Sequence, residues 1–145
     1  MSMSHNERLC RRFAKIIGGT PGFAGGKCVA TITRNRIKAT ILKKRFMLTS
    51  SFSFESLNTV TGRALCLGRV VLLQKETDRF ITSLLKQGII VSSIHNEWLF
   101  ERPRLIYVNI EAVQNPLRFA RKVRRALDLL QPTGSPSLGQ FSRSS

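Results

Sequence analysis

Residues 88–110, GIIVSSIHNEWLFERPRLIYVNI, constrain the fold more than any other stretch. Two β-branched, apolar runs, residues 88–94 and 105–110, flank a short polar and aromatic loop. The runs are too short for helices and too apolar for surface loops, so they read as strands. The loop between them is short enough to make them antiparallel neighbours in one sheet. It holds the chain's one Trp and one of its two His residues, and it sets two carboxylates beside two arginines. A chemical site, if the chain has one, is expected here.

The flanking segments read as helices. Before the strand pair, Phe80, Ile81, Leu84 and Leu85 form an apolar stripe, and Gly88 is a good stop signal. After it, Asn115 caps a helix with Pro116 at its first position. Phe119, Val123, Leu127 and Leu130 face inward on that helix. Arg118, Arg121, Lys122 and Arg125 share the opposite face.

At the other end of the chain, Ser4 and Glu7 have capping-box spacing. Leu9, Phe13, Ile16 and Ile17 follow at helical intervals, and Gly18-Gly19 stops the helix. Residues 20–26, TPGFAGG, read as a plain turn. They lack the GK[ST] ending of a phosphate loop and precede a strand, so no helix N-terminus faces a phosphate. Residues 28–33 and 37–42 read as a hairpin turning at Arg34-Asn35-Arg36. Lys43-Lys44-Arg45 is a basic run, solvated by default and able to meet a phosphate. Phe46, Leu48, Phe52 and Phe54 fall on one side of a third strand and read as core. Residues 63–73 form a strand with Gly68 at a bulge. Within it, Val70-Val71-Leu72-Leu73 is apolar on both faces, as in a strand covered on both sides.

The expected order is αββββαββα. The fold class is therefore α+β, one mainly antiparallel sheet with helices packed on it. Residues 1–131 read as a single domain. Residues 132–145, rich in Ser, Gly and Pro, read as a disordered tail. A chain of 145 residues is long enough to bury a core of this size.

Charge narrows the partners. Lys+Arg number 24 against 8 Asp+Glu, for a net charge of +16. That balance favours nucleic acid, phosphorylated ligands or an acidic membrane surface. Cys10, Cys28 and Cys66 are odd in number and widely spaced, which argues against a zinc ribbon or disulfide framework and for a reduced cytosolic compartment. Cys10 is given a packing role. Residues 1–12 lack the apolar core of a signal peptide, and no run approaches a membrane span. The expected location is cytoplasmic.

Residues 88–110, the helix before them and the closing PLRFA of residues 116–120 resemble the LppY/LpqO family, a bacterial family catalogued as a domain of unknown function. The resemblance covers residues 13–130 and is most specific over residues 84–120. It implies a single-copy cytoplasmic member of the type seen in spore-forming Gram-positive bacteria, and it brings no established reaction. The family is named after secreted lipoproteins. Here Cys10 follows Asn6-Glu7-Arg8-Leu9, which is not a lipidation signal, so lipoprotein status is not carried over. Family members often show a second His where this chain has Glu97.

Two sites follow. The first is the loop around His95, with Asn96, Glu97 and Trp98 as ligand-binding candidates. His95 and Glu97 are two apart, so in an extended chain they share a face. They offer two ligands to a divalent metal, or a base and its orienter. A third ligand has to come from elsewhere, Glu101 or His5 being nearest. The alternative is a loop histidine with Glu97 paired to Arg102 or Arg104, and with Trp98 and Phe100 anchoring the loop on the core or on a second subunit. The second site is the basic face of the last helix, Arg118, Arg121, Lys122 and Arg125, which suits a phosphate backbone or is simply a solvated surface. No complete catalytic motif is present, so a binding role is favoured over a reaction. The function reads as a small binding module for a small molecule or divalent metal, with a charge-driven nucleic-acid or polyanion binder as the alternative. A homodimer is also compatible.

Overall fold

A computed structural model describes residues 3–130. Its elements are α1 (His5–Ile17), β1 (Thr20–Ala24), β2 (Lys27–Thr33), β3 (Ala39–Ile41), β4 (Lys44–Phe46), β5 (Thr49–Glu55), β6 (Ala64–Leu73), α2 (Thr77–Lys86), β7 (Ile90–His95), β8 (Glu101–Arg102), β9 (Leu105–Gln114) and α3 (Pro116–Leu127). Six strands form one sheet in the order β1-β2-β5-β6-β9-β7, every pair antiparallel. A second sheet has the order β4-β3-β8. The class is α+β.

The helix signals work as read. Ser4 Oγ accepts from Glu7 N and Glu7 Oε1 accepts from Ser4 N, both at 3.1 Å, and Gly18 ends α1 in the left-handed conformation. Asn115 Oδ1 accepts from Leu117 N and Arg118 N at the start of α3, with Pro116 in the first turn. The apolar faces of the helices cover one side of the large sheet. Phe13 lies at its centre, edge-on to Phe54 at 5.1 Å and parallel to Phe119 at 6.4 Å. This core includes Val70 and Leu72 of β6 and Val108 and Ile110 of β9.

The opposite side of the large sheet is covered too. Val71, Leu105 and Tyr107 pack there with Ala39 and Leu48 in a second, smaller core. The second half of β6 is thus buried on both faces from Val70 to Leu72, as its apolar run requires. β9 separates β6 from β7, which makes residues 90–95 and 105–110 antiparallel neighbours.

Several expectations need correction. Thr20–Ala24 is a strand rather than a turn; the turn is confined to Gly25 and Gly26, both at positive φ. Pro21 hid it, yet β1 is an edge strand, where a missing N–H is tolerated. The hairpin at Arg34 does not form. β2 pairs with β1 and β5, and β3 leaves for the second sheet, because Ile37 and Ala39 pack into the smaller core. The four residues from Phe46 to Phe54 divide likewise, Phe46 and Leu48 joining the smaller core and Phe52 and Phe54 the larger.

Gly68 is not at a bulge, for the β6 register runs unbroken on both sides. A Cβ there would sit 2.8 Å from Ile110 Cγ1 and Phe52 Cδ1, so glycine serves close packing. The bulge lies in β7, between Val91 and Ser93. Cys10 and Cys28 form a disulfide with Cα atoms 5.4 Å apart. Their spacing concealed it because α1 folds back onto β2, which a count of intervening residues does not reveal. Residues 132–145, the expected tail, lie outside the described residues.

Candidate functional site

The strand registers gather a polar cluster on the sheet face opposite the helices. Tyr107 of β9 stands between Val71 of β6 and His95 of β7. One row along, Asn109 stands between Arg69 and Ser93. Directly opposed residues in antiparallel strands point the same way, so Arg69, Tyr107, Asn109, Ser93 and His95 share one face.

Glu97, just past β7, closes over this row. Its Oε1 lies 3.3 Å from His95 Nε2 and also takes an ion pair from Arg69 Nη2. The Arg69 guanidinium sits over the Tyr107 ring, 4.5 Å from its centre, in cation–π contact. The His95 ring lies 6.2 Å from that of Tyr107, inclined by 27°. Trp98 Nε1 donates to Tyr107 Oη at 3.0 Å. Ser93 Oγ is 3.5 Å from His95 Nδ1. Beneath them Asn109 Oδ1 is buried and, among the described residues, has no hydrogen-bond partner.

The electrostatics follow from these contacts. Burial alone raises the Glu97 carboxyl. The Arg69 and His95 hydrogen bonds and charges outweigh it and hold the group below the usual carboxylate range. Burial pushes the Tyr107 phenol up. The Trp98 hydrogen bond and the Arg69 charge oppose that rise, and the Glu97 and Glu101 charges add to it.

A family model described as Domain of Unknown Function (DUF1259) matches residues 11–129. The chain belongs to this family. No curated protein and no solved structure matches it.

In this DUF1259 chain the expected site residues divide. His95 and Glu97 meet, and Trp98 joins them through Tyr107. Asn96 turns away, its Nδ2 donating to Leu105 O at 3.0 Å. Glu97 pairs with Arg69, not with Arg102 or Arg104. Glu101 accepts from Leu105 N at 3.2 Å instead of approaching His95. Among the described residues no group of three His, Cys, Asp or Glu side chains is placed to hold a metal ion. His95 and Glu97 therefore supply two donors, beside a guanidinium that opposes a second cation.

The basic face of α3 is separate from this cluster, on the helix side of the sheet. Arg118, Arg121 and Arg125 are exposed and Lys122 is half-buried. Arg125 Nη1 donates to Gln87 Oε1 at 2.9 Å. Arg124, just off that face, bonds Ile17 O at 2.9 Å and pairs with Asp128.

Sequence reasoning missed Arg69, Tyr107, Ser93 and Asn109. One signal was available: Arg69 is the only charge within the apolar run of β6. A cation inside an otherwise apolar strand points to a partner across the sheet.

Proposed function

We propose that this DUF1259-family chain is a small binding module whose site is the His95 cluster, taking a small polar molecule. The observation that carries the reading is the double hold on Glu97. With Oε1 engaged by both Arg69 and His95, the histidine ring is fixed and its Nδ1 edge faces Ser93. The unpartnered Asn109 oxygen in the same row supplies a buried acceptor. Arg69 and Ser93 add donors, and Trp98 adds an aromatic wall. A divalent metal is the less favoured occupant, since the donor set stops at two.

The chain has two histidines, so the ring protons of His95 can be followed individually by NMR. Titration with a panel of monosaccharides, polyols and amino acids, and separately with ZnCl2 and MnCl2, tests the reading. The expected result is a saturable shift of His95 with a polar organic molecule, lost in His95→Ala without loss of thermal stability. A response to metal alone would transfer the site to the metal version. No response to any probe would remove the site.

A polyanion-binding role for α3 is the second reading. It is favoured by four cations over two turns, with no carboxylate between Pro116 and Leu127. Contacts from all four to phosphates give a salt dependence of about −3 to −4 in log K per decade of salt. Arg118, Arg121, Lys122 and Arg125 replaced together by Gln should flatten it.

A narrower placement within the family, as a member of the LppY/LpqO type, belongs to the same proposal and rests on residues 84–120. The cytoplasmic location expected from the cysteines loses its premise, because a disulfide such as Cys10–Cys28 persists in oxidising compartments. No helix among the described residues is long and apolar enough to cross a membrane.

A further inference from the structure

Two turns meet at one corner of the molecule, and both present large apolar side chains to solvent. The β3–β4 turn carries Leu42, which is 67% exposed. The loop before β8 carries Leu99 at 78% and Phe100 at 74%. They are neighbours: Leu42 N donates to Phe100 O at 3.3 Å, and β3 pairs with β8.

The backbone makes this exposure unusual. Leu42, Lys43 and Phe100 have φ of 52°, 68° and 59°, in the left-handed region. Bulky side chains are disfavoured there, and a two-residue turn of this kind is normally filled by Asn-Gly. Leu42 and Phe100 thus occupy positions that their own conformation penalises, without gaining a place in either core. Local folding does not explain them; contact with something outside the chain does.

The charges around the tip identify that partner. Lys43, Lys44 and Arg45 are exposed beside Leu42, and Arg102 and Arg104 beside Phe100. Arg45 and Arg102 both stand opposite Thr40, so they share one face of the small sheet. The nearby acids are already engaged, Glu101 by Leu105 N and Glu97 by Arg69 and His95.

We propose that this tip docks on an anionic lipid bilayer, with Leu42, Leu99 and Phe100 entering the interface and the five cations meeting headgroups. Apolar groups inserted about 5–10 Å into the headgroup boundary and ringed by Lys and Arg are the chemistry of peripheral membrane contact. Three side chains on two turns are far less than the roughly 800 Å² per partner of a stable protein interface. A contact of this size is reversible. Trp98 is half-exposed next to Leu99 and is the one Trp, so it reports on the tip.

The test is co-sedimentation of the full chain with phosphatidylcholine vesicles, with and without phosphatidylserine, while Trp98 emission is recorded. Binding to the anionic vesicles with a blue shift is expected, and little binding to neutral ones. The variant Leu42→Asn/Phe100→Asn suits the left-handed backbone, so it should melt no lower than wild type. It should partition at least about tenfold more weakly. Lys43→Gln/Lys44→Gln/Arg45→Gln should weaken binding and its salt dependence together. Absence of binding to anionic vesicles at low salt would overturn the proposal. So would unchanged binding in Leu42→Asn/Phe100→Asn, equal binding to neutral vesicles, or loss of binding when the four α3 cations are replaced by Gln. Self-association abolished by Leu42→Asn/Phe100→Asn, without vesicle binding, would make the tip a contact between copies of this chain and overturn it as well.

Discussion

The Arg69 guanidinium carbon lies over the Tyr107 ring, 4.5 Å from its centre. The two residues sit on adjacent strands, diagonal in register, since Arg69 opposes Asn109 and Tyr107 opposes Val71. Long side chains reach such diagonal neighbours. The contact leaves the guanidinium facing Glu97, so the cation that stacks on the ring also holds the carboxylate that orients His95. The cluster behaves as one unit rather than as separate pairs.

Glu97 should therefore show a pH-dependent contribution to stability. Its carboxyl lies below its ordinary value in the folded protein. Stability from this depression is present above the unfolded value of about 4.3 and is lost as pH falls through the folded value. Arg69 is well exposed, so solvent screening limits the pair to about 1 kcal/mol or less. Urea denaturation should show Glu97→Gln slightly less stable than wild type at neutral pH, the gap closing in acid. A gap that persists at the acid end would mean that charge is not the cause.

Tyr107 is the one tyrosine in the chain, so its phenolate can be titrated directly by ultraviolet difference spectroscopy. The midpoint should lie above the ordinary value of about 10, chiefly from burial. Trp98→Phe removes a hydrogen bond that favours the phenolate and should raise the midpoint further. Glu97→Gln removes a negative charge and should lower it. In stability terms the raised phenol contributes fully below pH of about 10 and loses its contribution as pH rises through the folded value. A midpoint that falls or stays put in Trp98→Phe would break the assignment of Trp98 as donor.

Much of this arrangement was legible. The two helix caps, most of the apolar stripes and the two-faced run of β6 each obey a local rule and form as read; Leu85, placed in the α2 stripe, is instead exposed. His95 and Glu97 share a face because they are two apart on an extended chain. What could not be read is register. Arg69 lies 28 residues from Glu97, and only the β6–β9–β7 order brings them together. The second sheet was hidden for a related reason. Alternation in residues 37–42 marks a strand but does not say which sheet receives it, and three residues of β3 carry little pattern. The disulfide depends on how a helix packs, which is likewise absent from a one-dimensional pattern.

The thiols give a direct count. Cys66 is fully buried, and burial pushes its thiol up to about 12, the Gln114 carbonyl contact opposing only in part. Native protein should react with no Ellman's reagent. Unfolded, unreduced protein should expose one thiol per chain and reduced protein three, since Cys10 and Cys28 are joined. Closing a loop of 18 residues contributes roughly 3 kcal/mol. Cys10→Ser/Cys28→Ser should lose about that much in urea denaturation. Three free thiols in unreduced, unfolded protein would refute the bridge.

The last prediction concerns the pair that ties the small sheet to the large one. Arg34, between β2 and β3, meets Glu76 in two parallel hydrogen bonds of 2.6 and 2.8 Å. Both side chains are 2% exposed. Arg34 also donates to Val71 O at 3.3 Å, and Glu76 Oε1 accepts from Leu73 N at 2.9 Å. The pair therefore clasps the end of β6 to the chain leaving β2, where β3 departs. Removing one partner strands a buried charge, at a cost of about 3–5 kcal/mol. Removing both strands none, and apolar replacements of similar volume recover most of the loss. Glu76→Leu and Arg34→Met should each destabilise by roughly 3 kcal/mol or more, and Arg34→Met/Glu76→Leu by clearly less than their sum. Hydrogen exchange should then quicken first in β3, because its route from the large sheet begins at Arg34. Additive losses in the double-mutant cycle would show that the two charges do not act as a pair.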